Sequence, residues 1–358
     1  MSGLVEVELW RVPTPIPTPV LTPAGPYDTF FHVVVVARSA GHEGWGYSAL
    51  ANIELLDAAV ASAAELLEGE APSLGALVAV EHQARHGDRT AWHAATNAIA
   101  LAAWDLAARE LGVGCADLWG RRPHSDALDA YASGYFLDST LDELVHEAEQ
   151  DRDAGFRFVK MRVGLDVDTD LQRYDAVRTV FPDEGCIAVD AVCSWTTDAA
   201  RAFVARASAP LLWLEDPTPY PDLPAVGDSH GKFGAPLAIG ESVQEIAELE
   251  ALRRACGFDA ALLDVQQLGG PVRFFVAANA LAAQGVTIGS HIYTGPSTHL
   301  LACLDDPLPL EVFDWSDPLM DRPPKPEGDG RVPVLGPGFG VALRHETLER
   351  HGTLVLTR

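Results

Sequence analysis

The run FRFVKMRVG (156–164), followed by CIAVDAV (186–192), LLWLEDP (211–217) and PLAIGES (236–242), decides how this chain is read. Each is a short apolar stretch of β character, and the last three end in Asp190, Glu215 and Glu241, spaced by 25 and then 26 residues. That interval is about one strand plus one helix, so in a parallel barrel all three carboxylates converge on the same open end. One acid at a strand end ordinarily caps the next helix or pairs with an arginine. Three in succession repel one another unless a cation gathers them, which predicts a hard divalent ion, Mg²⁺, one per subunit.

Four more runs of the same kind flank these: DAYASGYF (129–136), AALLDVQQ (260–267), GVTIGSH (285–291) and PLEVFD (309–314). Eight strands, each followed by a helical stretch, predict an α/β fold with a TIM-like barrel over residues 124–320. Residues 1–123 read differently. The strands VEVELWRV (5–12) and TFFHVVVVARS (29–39) are separated by a Pro-rich loop at 13–27, and helical spacing follows at 52–69 and 92–111, predicting an α+β domain. The Pro/Gly-rich tail, 321–358, is expected to pack back on it and complete it.

The chain has 358 residues, 48% of them hydrophobic, enough for more than one small domain. Against 51 Asp plus Glu there are 25 Lys plus Arg, a formal charge of −26, which excludes nucleic acid and anionic membrane as partners. A small carboxylate substrate must then be drawn in by local positive charge. Five scattered cysteines without a CxxC pair, and no apolar run of membrane-spanning length, predict a reduced, cytoplasmic setting.

That local charge is found in FVKMRVG, where Lys160 and Arg162 alternate and so face the barrel interior together. Lysine occurs only at 160, 232 and 325, against 22 arginines, which makes one inside an apolar strand informative. Arginine keeps its proton to high pH, so Arg162 suits a carboxylate clamp better than a base. Asp264 and His291 end neighbouring strands. A carboxylate on one imidazole nitrogen fixes the tautomer and raises the basicity of the other, predicting His291 as general base.

The order Lys160-x-Arg162, Asp190, Glu215-Asp216-Pro217, Gly240-Glu241-Ser242, Asp264 before Leu268-Gly269-Gly270, His291 and Glu311 resembles the enolase superfamily, and within it the mandelate racemase subgroup. The resemblance covers nearly the whole chain. It implies a capping α+β domain on a (β/α)₇β barrel, a homo-oligomer, and abstraction of a proton α to a carboxylate held on Mg²⁺. It also implies that Glu311 hydrogen-bonds the substrate carboxylate. The subgroup more often has a second lysine where Arg162 stands, which weakens two-base racemisation, and a polar residue where Val192 stands. The lysine of the muconate-lactonizing subgroup is absent at 264, which argues against cycloisomerase and dipeptide-epimerase chemistry.

The reading that results is a Mg²⁺-dependent dehydratase of an acid sugar, giving a 2-keto-3-deoxy acid. The alternatives are a racemase or epimerase of a 2-hydroxy or amino acid and, from another class, a non-catalytic binding protein on the same fold, against which intact Lys160, Asp264 and His291 weigh. Since the barrel end is open, lids are expected from 13–27 and from GHEGWGYSAL (41–50), with His42, Trp45 and Tyr47 as candidate substrate contacts.

Overall fold

In the computed structural model, which describes residues 4–83, 89–122, 126–226 and 234–358, the first strands form a long antiparallel sheet. β1 (Glu6–Thr22), β2 (Gly25–Ser39) and β3 (His42–Leu50) follow one another, each pairing with the next. Hydrophobic residues alternate into β1, where Val5, just before the strand, and Val7 and Leu9 within it turn to the helices Ile53–Leu66 and Arg89–Leu111. The second of these is alanine-rich, and the sheet meets it closely. A Cβ on Gly46 would lie 2.4 Å from both Ala102 N and Ala98 O, and one on Gly44 2.2 Å from Leu106 N.

The Pro-rich loop expected at 13–27 is corrected: it is a hairpin arm, the continuation of β1 and β2, with Pro15 paired to Thr29, Val20 to Tyr27 and an irregularity between. Pro13 and Pro15 share one parity in the regularly paired part of the arm, so their missing N–H groups fall on the same side of the strand. Beyond Arg11 the pairing of β1 with the tail strand ends, which leaves that strand an open side on which a donor is not required. The lid expected at 41–50 is corrected as well. That segment is β3, with Trp45 5% and Tyr47 2% exposed, because its glycines admit the helix and its aromatics fill the space between sheet and barrel.

Eight parallel strands follow among the described residues: β4 (Ala127–Gly134), β5 (Phe158–Arg162), β6 (Ile187–Asp190), β7 (Leu214–Glu215), β8 (Leu237–Ile239), β9 (Ala260–Leu263), β10 (Thr287–Ser290) and β11 (Leu310–Val312). They run β10-β9-β8-β7-β6-β5-β4-β11, and Leu308 N donating to Ile288 O draws the two ends together in a nearly closed barrel. The expected barrel with an α+β cap is therefore the architecture found. Tyr131, Ala188, Trp213, Ala238, Ala260 and Leu262 fill its interior, and apolar layers outside the strands join it to the helices. The boundary expected between 123 and 124 falls outside the described residues.

The tail serves both parts. β12 (Arg331–Pro333) pairs antiparallel with β4, and β13 (Thr353–Thr357) adds to β1 at the edge of the capping sheet. Polar bonds sew cap to barrel: buried His32 lies between Thr14 Oγ1 (3.3 Å) and Ser316 Oγ (3.1 Å), Thr96 Oγ1 donates to Gly269 O, and Ala49 N donates to Gln266 Oε1. The hairpin tip reaches the barrel mouth, where Leu137 N donates to Leu21 O and Leu21 N to Asp138 Oδ1. No helix among the described residues is long and apolar enough to cross a membrane.

Candidate active site

Strand register sets the site. Arg162 is paired with Asp190, and Asp190 with Glu215, so three charged side chains stand side by side at the ends of β5, β6 and β7. Glu241 follows β8 by two residues. One oxygen each of Asp190, Glu215 and Glu241 lies within 4.8 Å of the others, close enough to share one small cation.

The cluster is held in place by donors that leave part of it free. Val192 N donates to Asp190 Oδ1 (2.8 Å) and Trp213 Nε1 to Glu215 Oε2 (2.9 Å). Asp190 Oδ2 is buried and receives no hydrogen bond, with Arg162 Nη1 at 3.3 Å and Lys160 Nζ at 3.9 Å. A buried carboxylate oxygen without a donor, beside two more carboxylates, fits an oxygen-coordinated divalent cation. Burial pushes Glu215 up to about 8, against the pull of Lys160 and with the repulsion of Asp190, Glu241 and Glu311 added. Burial raises Glu241 too, with His291 opposing.

Lys160 is fully buried over the ring of Tyr131, donates to Glu215 Oε1 (2.8 Å) and forms an ion pair with Glu311 Oε1 (3.0 Å). Burial alone would drive off its proton, but Glu215 and Glu311 outweigh it and hold the ammonium well above its usual range. Burial likewise acts against Glu311 ionising, and Lys160, His291 and Arg162 overcome it, leaving that carboxyl at about 2. Glu311 Oε2 accepts from Ile292 N (2.6 Å), and Arg162 Nη1 reaches Ser133 Oγ (3.3 Å).

His291 completes the ring of groups. Asp264 Oδ1 accepts from Gln266 N (2.7 Å) and Gln267 N (2.9 Å), while its Oδ2 lies 2.7 Å from His291 Nδ1. A carboxylate so placed accepts, so Nδ1 carries the hydrogen and Nε2 is the nitrogen that faces the mouth, 3.2 Å from Glu241 Oε2. Burial lowers the imidazole's basicity, but Glu241 above all, with Asp264 and Glu311, raises its pKa to about 10; a cation held by Glu241 would offset that largest contribution and free Nε2 to act as a base.

Eight of the residues expected from the sequence thus meet in one place: Lys160, Arg162, Asp190, Glu215, Glu241, Asp264, His291 and Glu311. His42, Trp45 and Tyr47 do not join them. His42 is exposed at the far end of β3, beside a surface cavity of about 650 Å³. Trp45 donates to Val341 O and stacks on Tyr47, which packs against Tyr293 behind the mouth. Sequence reasoning missed Ser133 and Trp213. Both share strand parity with a named charged neighbour, Trp213 with Glu215 and Ser133 with the paired Lys160 across β4 and β5, and that period of two is the signal that finds them.

Residues 143–347 match the family model described as enolase C-terminal domain-like, and residues 4–120 that of the mandelate racemase / muconate lactonizing enzyme N-terminal domain. The chain is similar to a 3,6-anhydro-alpha-L-galactonate cycloisomerase of Streptomyces coelicolor, 28% identical over 98% of this chain and 99% of that one. It is also similar to an L-talarate/galactarate dehydratase of Salmonella typhimurium, 29% identical over 64% of this chain and 58% of the relative. Among solved structures, a racemase from Streptomyces coelicolor with bound magnesium superposes with a TM-score of 0.84 at 25% identity, covering 98% and 99% of the two chains. All three are enzymes. A cycloisomerase stands among them, so the likeness alone does not separate that class from the dehydratases.

Proposed function

The chain belongs to the mandelate racemase / muconate lactonizing enzyme family of the enolase-like proteins, and on that premise we propose that it is a Mg²⁺-dependent dehydratase of an acid sugar. The observation that carries the reading is the opposition of one oriented imidazole to a wall of fixed positive charge: His291 on one side, Lys160 and Arg162 on the other.

Asp190, Glu215 and Glu241 would hold the ion, and Mg²⁺ bound there supplies divalent charge against the substrate carboxylate. His291 Nε2 takes the C2 proton, its tautomer set by Asp264. The electron pair left behind spreads onto the carboxylate, where Lys160 and Arg162 stand as permanent cations. It then forms the C2–C3 double bond as the C3–O bond breaks. The imidazolium just formed returns its proton to the departing hydroxyl, so water leaves, and the enol becomes a 2-keto-3-deoxy acid. Glu311, ionised and tied to Lys160, positions that ammonium.

A racemase needs a second base on the opposite face. There the structure offers an ammonium held by two carboxylates and a guanidinium, neither of which gives up a proton readily, and this favours dehydration. If the C3 oxygen belongs to a ring ether, the same abstraction opens the ring without losing water, and the reaction is an isomerisation. The relatives' substrates, by name, include both a galactonate and galactarate.

The test is a library of acid sugars incubated with the enzyme and Mg²⁺, read for 2-keto acid formation. Solvent deuterium appearing at the α-carbon without 2-keto acid would replace this reading with the racemase. Absence of both would leave the binding protein.

A further inference from the structure

Ile292 and Tyr293, which directly follow His291, both take left-handed backbone conformations, at φ 40° and 53°. For a β-branched residue such as Ile292 that region is strained, and it persists only where the surroundings over-determine it. Three hydrogen bonds hold it here. Ile292 N donates to Glu311 Oε2 (2.6 Å), Ser297 Oγ donates to Ile292 O (2.9 Å), and Ser297 N donates to Tyr293 O (2.8 Å). The turn leaves the Tyr293 ring, 3% exposed, packed against Tyr47 of the capping sheet with centroids 5.1 Å apart.

The neighbouring strand end sends a second side chain to the same place. Asp264 Oδ1 accepts from Gln266 N, and the Gln266 side chain is buried against the cap. Tyr293 Oη donates to Gln266 Oε1, and Ala49 N donates to both, at 2.7 Å to the hydroxyl and 2.8 Å to the amide oxygen. β3, which carries Ala49, is the outer strand of its sheet, so this N–H on the open side finds its acceptors in the barrel. Two positions past the carboxylate and two past the imidazole, the chain thus meets itself and the cap at one backbone donor.

We propose that Tyr293 and Gln266 are positioning residues for the base: closed on Ala49 N, they fix Asp264 against His291 and so keep the imidazole in the tautomer that leaves Nε2 free. This rests on the reading of His291 as the base, and it holds whichever acid is consumed. Neither residue touches the reacting atoms. Their leverage comes from geometry, since a displacement of about 1 Å at a reacting group can cost about 10²-fold in rate. The cap then does more than cover the barrel, because its seating aligns the base.

The experiment labels the histidines with ¹⁵N and follows the His291 ring nitrogens by NMR in the presence of MgCl₂, the signals being identified by their loss in His291→Asn. Turnover and α-proton exchange of acid sugars are measured alongside. In the wild type Nδ1 should carry the hydrogen and Nε2 none. Tyr293→Phe, which deletes a single oxygen, and Gln266→Met should each move both nitrogens toward the shifts of mixed tautomers and lower kcat about tenfold with KM within about twofold. The double variant should stay within about twofold of the less active single one, because both substitutions open one latch. If Gln266→Met folds poorly, Tyr293→Phe alone carries the test. Unchanged nitrogen shifts and kcat in a Tyr293→Phe protein that merely melts earlier overturn the inference, and so do losses that multiply in the double variant or a wild-type hydrogen on Nε2 in place of Nδ1. If no acid sugar is turned over or exchanged, the dehydratase falls while the nitrogen shifts still decide the latch. Shifts that stay put beside normal turnover remove the latch and leave the dehydratase.

Discussion

Nε2 of His291 lies 3.2 Å from Oε2 of Glu241 while Asp264 grips Nδ1 at 2.7 Å, so the imidazole has one nitrogen committed to orientation and the other presented to the carboxylate cluster. Replacing Asp264 by Asn keeps an oxygen for the N–H groups of Gln266 and Gln267 but turns an amide donor toward Nδ1. The imidazole must then carry its hydrogen on Nε2, the wrong tautomer for a base. Asp264→Asn should lower kcat by about 10²–10⁴-fold with KM little changed, and His291→Asn should abolish both turnover and α-proton exchange. Exchange at the full rate in His291→Asn, measured by NMR in D₂O, would transfer the role to Lys160.

Glu215→Gln should weaken Mg²⁺ binding by at least about 10²-fold in a protein that remains folded by circular dichroism, because a neutral amide replaces one of three anionic ligands. Calorimetric titration with MgCl₂ decides it. Unchanged affinity would detach the ion from the Asp190–Glu215–Glu241 cluster.

Configuration at C2 is a separate matter. The resemblance to the mandelate racemase subgroup implies that the histidine works on the face presented by 2R substrates, and with Arg162 standing where the family more often has a second lysine, kcat/KM should favour 2R over 2S acids by about 10²-fold or more. Matched rates for both epimers would mean that a base operates on the Lys160 side.

His32 predicts an acid weakness. It is fully buried between cap and barrel, and burial lowers its pKa to about 3, below an unfolded value near 6.5. The unfolded chain therefore binds the proton more readily. The stability contribution is complete above about 6.5 and is lost as pH falls toward 3, amounting to about 2 kcal/mol between pH 7 and 5. Buried Glu81 and half-buried Glu147, near 7, and buried Asp105 and half-buried Asp151, near 6, act with the opposite sign, since their folded pKa values are raised. The comparison is therefore made against His32→Asn. Urea unfolding at the two pH values should show a loss on acidification about 2 kcal/mol smaller in the variant, and parallel profiles would refute the argument.

Gly46→Ala should destabilise the cap by about 3 kcal/mol, because its Cβ would meet helix backbone on both sides and backbone does not rotate out of the way. Differential scanning calorimetry is the measurement. A wild-type transition would mean that the helix Arg89–Leu111 has room to shift.

The barrel and its charged groups were legible because the sequence carries them locally: an apolar run ends, an acid follows, and the interval repeats. Asp264 and His291 were legible for the same reason. The cap was not, where its structure depends on neighbours. Prolines at 13–19 look like a break until the open side of β1 is known, and the glycines of 41–50 look like a loop until the helix backbone is found filling the space above them. The cluster of Tyr27, Phe136 and Trp315 was invisible for a related reason: the pairing of β4 with β11 brings Phe136 to Trp315, and the hairpin arm adds Tyr27.

A long strand projecting over an active site is an invitation to self-association, since a row of backbone donors and acceptors can recruit the same segment of another molecule. The prolines at 13 and 15 withdraw two donors from one side of this arm, so that side makes a poor template for an incoming strand. The arm can thus project over the barrel mouth in a concentrated cell without seeding aggregates. Restoring the donors, as in Pro13→Thr with Pro15→Thr, would leave the fold intact and make the protein prone to strand exchange between copies.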